Sequence, residues 1–263
     1  MHKQQDNKLP NVVCFSGHDP SGGAGIQADI ESVNANHARA CTIITALTVQ
    51  DTHDVQQLIP VELMDFQNAA TTLLNDVEAN AFKTGLLATA DIADAISQLA
   101  CQQPSIPLVV DPVLASGAGS KLSSNKLIQS MRINLLPVAT IATPNLPEAQ
   151  ILSGEKDIDE CAKKILAMGC QHVLVTGTHA STTQVINTLY SFNEKIEFTV
   201  ERLVGEFHGS GCTLASSLAA NLANKLDIKT AVSHALDYTW QSLEHAQQIG
   251  KGQLLPSRHF QHD

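Results

Sequence analysis

Pro107-Leu108-Val109-Val110-Asp111-Pro112-Val113 is a short apolar run interrupted only by a carboxylate near its end. Unbroken hydrophobicity of this length fits a strand buried on both faces, as in a parallel sheet covered by helices. The flanking segments supply such helices. Residues 91–101 carry Ile92, Ile96 and Leu99 at helical spacing, and residues 123–135 read as another helix. Working outward, the periodicity predicts strands at 11–16, 41–49, 55–61, 81–86, 140–142 and 172–176. It predicts helices at 25–36, 63–78 and 157–168, the first with Ile26, Ile30 and Val33 inward. Residues 184–192 and 196–203 read as a hairpin turning at Asn193 and Glu194. Residues 211–249 read as nearly all helix, broken near Asp227.

Strands alternating with helices imply right-handed crossovers and a mainly parallel sheet with helices on both faces. The hairpin supplies a small antiparallel edge. No internal repeat or linker divides the chain, so one α/β domain spanning residues 1–263, with a polar extension at 1–10, is expected. In such folds ligands bind beyond the carboxyl ends of the strands, which directs attention to the turns that follow them.

Composition narrows the functions. Hydrophobic residues are 43% and charged residues 16% of the chain, which suits a large core and excludes a disordered protein. No apolar run reaches the roughly 18 residues of a membrane helix. Sixteen basic against 26 acidic residues give a net charge of −10, so no general nucleic-acid surface is expected. Cys14, Cys41, Cys101, Cys161, Cys170 and Cys212 show no C-x-x-C spacing, and residues 1–10 lack a secretory apolar stretch. Both point to a reducing cytoplasm and argue against a disulfide framework.

Two glycine-rich turns stand out. The first, Ser16-Gly17-His18-Asp19-Pro20-Ser21-Gly22-Gly23-Ala24-Gly25, follows a strand and opens a helix. Its Gly23-Ala24-Gly25-Ile26-Gln27-Ala28 fits the G-x-G-x-x-A dinucleotide pattern, which leaves a nicotinamide-dependent oxidoreductase as an alternative. The second, His208-Gly209-Ser210-Gly211-Cys212-Thr213, opens the terminal helical stretch. Free N–H groups at that tip suit an anion, and a cysteine there can have its pKa lowered enough to act as base or nucleophile. Against these stand blander readings: a ligand-free connection for the first turn and a buried space-filling cysteine for the second. Asp111 and Glu148 follow neighbouring strands and can hold Mg²⁺ through water; a cap before Pro112 and a helix-dipole partner are their structural alternatives. His18 and His208 share the glycine turns.

Taken in order, these pieces resemble the hydroxymethylpyrimidine/phosphomethylpyrimidine kinases of thiamine biosynthesis. The matching stretches are 17–29, 44–50, Lys83-Thr84-Gly85-Leu86-Leu87, Val110-Asp111-Pro112-Val113, Thr143-Pro144-Asn145-Leu146-Pro147-Glu148-Ala149 and 208–213. The resemblance implies a ribokinase-like three-layer α/β/α fold, a homodimer, and ATP with Mg²⁺ as cofactors. It implies phosphorylation of 4-amino-5-hydroxymethyl-2-methylpyrimidine to its monophosphate and then the diphosphate. By position, Gln50 would hydrogen-bond the pyrimidine edge, Gly17 and Asp29 would lie in or beside its pocket, and Leu86 and Val113 would wall the ring. Gly209, Ser210 and Gly211 would form the anion hole, and Cys212 would stand where related sugar kinases place an aspartate base. Asp111 and Glu148 would serve the metal, and Asn145, Glu148 and Thr176 the nucleotide.

The chain departs from the family pattern at two cations. Val175-Thr176-Gly177-Thr178-His179 stands where a lysine-bearing segment is usual, and Ser116-Gly117-Ala118-Gly119 replaces a Lys-Ser-Gly stretch, with Lys121 just beyond. Phe207 also replaces a more usual small polar residue. These losses bear on the second phosphorylation. The missing lysine leaves a non-catalytic pyrimidine sensor as an alternative, and the glycine–cysteine turn, which the resemblance shares with pyridoxine/pyridoxal kinases, leaves that activity as another.

Overall fold

The computed structural model describes residues 8–117, 119–177 and 183–260. Thr178, His179 and Ala118 of the departing segments, and most of the polar extension, lie outside the described residues. Among the described residues nine strands form one sheet in the order β3-β2-β1-β4-β5-β6-β7-β8-β9. Its centre is parallel: β1 (Asn11–His18) lies between β2 (Arg39–Gln50) and β4 (Ala81–Thr84), followed by β5 (Leu108–Val110), β6 (Ile141–Ala142) and β7 (His172–Val175). The expected hairpin is present as β8 (Gln184–Tyr190) and β9 (Lys195–Glu201), antiparallel beside β7.

A second antiparallel edge forms at the other end, where β3 (Val55–Pro60) pairs with β2. The sequence reading placed such an edge only at the hairpin. The turn 51–54 is too short for a crossover, so β3 must fold straight back. Its Gln56, Gln57 and Pro60 suit an open edge.

Strand side chains alternate between two cores. Val13, Phe15, Phe82, Leu108 and Val110 face α2 (Leu63–Asp76), α3 (Ala90–Gln102), α4 (Asn125–Ser130), α5 (Leu146–Ser153) and α6 (Ile158–Ala167). Val12, Cys14, Val109 and Ile141 face α1 (Gly25–Ala35), α7 (Ser210–Ala223) and α8 (Ile228–Glu244). Pro137 ends the α4 region, where the helix widens into a π-turn at Met131–Leu135 and closes in a short 3-10 turn. Asp227 breaks the terminal helical stretch by capping α8: its Oδ1 accepts from the N–H groups of Lys229 and Thr230, each at 3.1 Å.

The inward face of α1 differs from the expected one. Ile30 is 39% exposed, while Ala28, Asp29, Ser32 and Val33 are buried. Hydrophobic spacing misses this face because two of its four positions are polar: Asp29, which belongs to the site network below, and Ser32. α7 is buried nearly all round, from Thr213 to Asn221. Its small residues let it pack against α1, α8 and the sheet together.

Phe15 is the pivot of the larger core, with ring centroids 5.9 Å from both Phe66 and Phe82. Truncation of a buried phenylalanine costs about 3–5 kcal/mol. Urea titration of Phe15→Ala is expected to show a loss of that size with the unfolding slope unchanged.

Candidate active site

The sheet carries the candidate residues to one edge. Gly17 ends β1, Gln50 ends β2, Gly85 and Leu86 follow β4, Asp111 and Val113 follow β5, Asn145 follows β6, and Thr176 follows β7. The backbone ties these ends together. Asp111 N–H donates to Thr84 O at 3.0 Å, Thr143 N–H to Val110 O at 2.9 Å and Thr176 N–H to Pro144 O at 3.0 Å. Thr45 Oγ1 donates to Leu86 O, and Thr48 Oγ1 donates to His18 O at 2.9 Å. Gly17 and Leu86 touch: a methyl at Gly17 would come 3.1 Å from Leu86 Cδ2. Gln50, Leu86 and Val113 are half-buried.

The two glycine turns lock onto each other. Asp19 Oδ1 accepts from Ser21 N–H at 2.8 Å and Ser21 Oγ at 2.7 Å; its Oδ2 accepts from Ala24 N–H at 2.8 Å and meets His208 Nε2 at 2.8 Å. Burial opposes ionisation, but the His208 and Ser21 hydrogen bonds prevail and hold the Asp19 carboxyl below its ordinary range. His208 is therefore a clamp between turns; among the described residues His18 makes no such pairing. Gly209 has φ +83°, and a Cβ there would stand 1.8 Å from Gly23 O. Only glycine permits that approach. The same packing removes the dinucleotide reading. A Cβ at Gly25 would stand 2.2 Å from Gly17 O, so its glycine serves the turn's own closure rather than approach to a pyrophosphate.

Gly209 is the N-cap of α7. Thr213 N–H is the first to bond back, to Gly209 O at 3.0 Å, which leaves Ser210, Gly211 and Cys212 N–H without an intrahelical acceptor. Free N–H groups at a helix start can face an anion, the role that the sequence reading expects of this turn. Asp111 faces it: a methyl at Gly211 would stand 3.8 Å from each of its carboxylate oxygens.

Beneath the tip lies a buried ion pair. Lys83 Nζ bonds Asp29 Oδ1 at 2.7 Å and Ser16 Oγ at 3.2 Å, and Ser216 Oγ donates to Asp29 Oδ1 at 2.6 Å. Both charged side chains are 0% exposed. Asp29 thus lies under the site rather than on its surface. Burial works against the Lys83 charge, yet Asp29, then Cys212, Asp111 and Cys14, outweigh it and raise the ammonium above its ordinary range. Sequence reasoning passed over Lys83, although a lysine inside the buried run Ala81-Phe82-Lys83-Thr84 demands a partner.

Cys212 touches this network from above. It lies near enough to feel the charges of Lys83, Asp111 and Asp29. Burial pushes it up to about 12; Lys83 opposes that, while Asp111 and Asp29 add to it. The expected lowering does not occur, because the tip's positive end is offset by burial and two carboxylates. Cys212 is a thiol in this state.

Asp111 and Glu148 form the other charged pair. Glu148 closes a capping box on α5: its Oε2 accepts from Asn145 N–H at 3.0 Å, and Asn145 Oδ1 accepts from Glu148 N–H at 2.9 Å. Its Oε1 also accepts from Leu114 N–H at 3.3 Å. Burial and then Asp111 push Glu148 up to about 8, and burial pushes Asp111 up to about 6 against the pull of Lys83. Asp111 Oδ2 is buried without a hydrogen-bond partner. Two mutually repelling carboxyls with an orphan oxygen fit a divalent cation held through water. Among the described residues no group of three or more such side chains gathers, so the protein's share of any such site is small.

A helix tip and carboxylates at the carboxyl edge of a mainly parallel sheet define a ribokinase-like phosphotransferase. The phosphomethylpyrimidine kinase family model matches residues 19–256, and the chain belongs to that family. It is 34% identical over 263 residues to the hydroxymethylpyrimidine/phosphomethylpyrimidine kinase of Escherichia coli (strain K12), covering 96% of this chain and 98% of that one. In shape it is similar to Bacillus subtilis pyridoxal kinase, solved as an ADP complex, with TM-score 0.89, 27% identity, and 95% and 98% of the two chains covered. It is also similar to phosphomethylpyrimidine kinase from Clostridium difficile 630, with TM-score 0.78, 29% identity, and 90% and 100% covered.

The raised carboxyls make stability depend on pH. Asp111 and Glu148 keep their protons to higher pH when folded than when unfolded, so the unfolded state binds fewer protons between the two limits. Without divalent cation, the denaturation midpoint is expected to fall as pH rises through about 6 and on to about 8. The Asp111→Asn, Glu148→Gln double variant should flatten that slope.

Proposed function

We propose that the chain transfers the γ-phosphoryl group of Mg·ATP to the hydroxymethyl oxygen of 4-amino-5-hydroxymethyl-2-methylpyrimidine, and then a second phosphoryl group to the monophosphate. The observation that carries this reading is the α7 tip, whose N–H groups face Asp111 across the carboxyl edge. Phosphoryl transfer asks mainly for alignment and charge stabilisation, and such a tip supplies both. Gln50 both donates and accepts, which matches a ring nitrogen and its exocyclic amine, while Leu86 and Val113 enclose the ring. Asp111 and Glu148 would hold Mg²⁺, which shields phosphate charge when bound. Thr176, Asn145 and Glu148 line the nucleotide side.

In this reading Cys212 takes the alcohol proton on Sγ. At rest the negative charge of Asp111 helps keep it protonated. Before transfer the thiol gives its own proton to solvent, and neutralisation of Asp111 in the loaded site favours that loss by removing one of the charges that, after burial, hold the thiol up. Lys83 then stabilises the thiolate. Two departures bear on the second step: Thr176 offers no cation, and Ser116-Gly117-Ala118-Gly119 stands where a Lys-Ser-Gly stretch is usual. A homodimer accords with the same reading, and the half-exposed Leu47, Val49 and Ile59 of the β2–β3 hairpin favour it.

A second reading is pyridoxal phosphorylation, favoured by the likeness in shape to B. subtilis pyridoxal kinase. Mass analysis of the purified protein with ATP, Mg²⁺ and each alcohol separates the two. The expected result is the pyrimidine carrying one and then two added phosphates. Phosphorylated pyridoxal without phosphorylated pyrimidine would reverse the order, and pyrimidine binding without ATP consumption would make the chain a sensor.

Two variants divide the roles. Cys212→Ala is expected to lower kcat by about 10²–10⁴-fold with pyrimidine affinity kept. Gln50→Leu is expected to weaken pyrimidine binding instead, because ring polar atoms lose their partners.

A further inference from the structure

The C-terminal segment returns across the site and anchors one arginine beneath it. His208 N–H donates to Leu254 O and Leu254 N–H to Glu206 O, each at 2.9 Å, and Gln253 N–H donates to Thr52 O at 2.8 Å. Beyond this strap Arg258 enters the core and is 2% exposed. Its Nε donates to Thr213 Oγ1 at 2.9 Å, and its Nη1 donates to Gly22 O at 3.2 Å and pairs with Glu31 Oε2 at 3.1 Å. Its Nη2 donates to Gly23 O. Thr213 Oγ1 donates onward to Gly209 O at 2.9 Å. One planar fork therefore holds two carbonyls of the first glycine turn and, through a single hydroxyl, a carbonyl of the second.

Carbonyl and N–H of one peptide lie in a plane on opposite sides, so pinning an oxygen aims the next residue's N–H. Fixing Gly209 O aims Ser210 N–H, and fixing Gly23 O aims Ala24 N–H, which donates to Asp19. Glycine turns left to themselves have the widest backbone freedom of any residue. We propose that Arg258 is a positioning residue for phosphoryl transfer: it keeps the two glycine turns in register, so that the N–H groups opening α7 point at the migrating group. Lysine cannot replace it, because one ammonium lacks the rigid fork that reaches Thr213, Gly22 and Gly23 at once.

This inference rests on the kinase reading above, and the test keeps the two apart. Wild type, Arg258→Lys, Arg258→Gln and Glu31→Gln are compared by steady-state kinetics with ATP and the pyrimidine alcohol, at a temperature where near-ultraviolet circular dichroism shows each folded. Both Arg258 variants are expected to lose about 100-fold in kcat, the scale of a small misplacement of catalytic groups. Their KM for the alcohol should stay within about threefold, since Arg258 touches no part of its pocket. Glu31→Gln removes the counter-charge but leaves the fork; it should lower Tm and keep kcat within about twofold. If Arg258→Gln does not fold, Arg258→Lys carries the comparison alone. Wild-type turnover by folded Arg258→Lys, or a kcat loss in Glu31→Gln equal to that of the Arg258 variants, would overturn the proposal. A wild-type protein that phosphorylates no alcohol would overturn the kinase reading beneath it.

Discussion

Gly209 against Gly23 O is the contact on which the site depends. Any side chain at Gly209 would drive into a carbonyl, and the positive φ there turns the chain into α7. Asp19 and His208 hold the same seam from the side. Two turns almost two hundred residues apart in sequence thereby become one surface, and the start of α7 opens on the carboxyl edge of the sheet. The chemistry assigned to Cys212, Asp111 and the tip N–H groups presupposes that alignment.

Electrostatics explain how a chain of net charge −10 can serve anionic substrates. The relevant charges are local and shielded from water. Lys83 is buried amid Asp29, Asp111, Cys212 and Cys14, so its field acts on the site at low dielectric. Breaking such a pair by removing one partner costs about 3–5 kcal/mol, which makes Lys83 and Asp29 structural as well as electrostatic. Arg258 is the second buried cation at the glycine seam, and it reaches the site only through peptide groups and Thr213.

Much of this was legible in the sequence because parallel α/β folds obey strong local rules. Buried runs such as Leu108-Val109-Val110 mark central strands, and the turns after them mark ligand positions. What escaped is long-range polar pairing. The inward face of α1 is set by Asp29 and Ser32, which no hydrophobic pattern reveals. β3 reads as a strand, but its place at the far edge follows from the short turn 51–54. The state of Cys212 depends first on burial and then on Lys83, Asp111 and Asp29, all distant in sequence, so the helix tip alone misjudged its proton. Arg258 lies in a C-terminal segment without periodicity, and only its partners give it a role.

The central claim is that the amides opening α7 receive the phosphoryl group in flight. The direct measurement is the amide spectrum of ¹⁵N-labelled protein with Mg²⁺, ADP, aluminium fluoride and the pyrimidine alcohol, compared with ADP and alcohol alone. The account predicts that the planar phosphoryl mimic moves Ser210, Gly211 and Cys212 most. A bound mimic that leaves those three amides where they were and shifts another part of the sheet edge instead would contradict it.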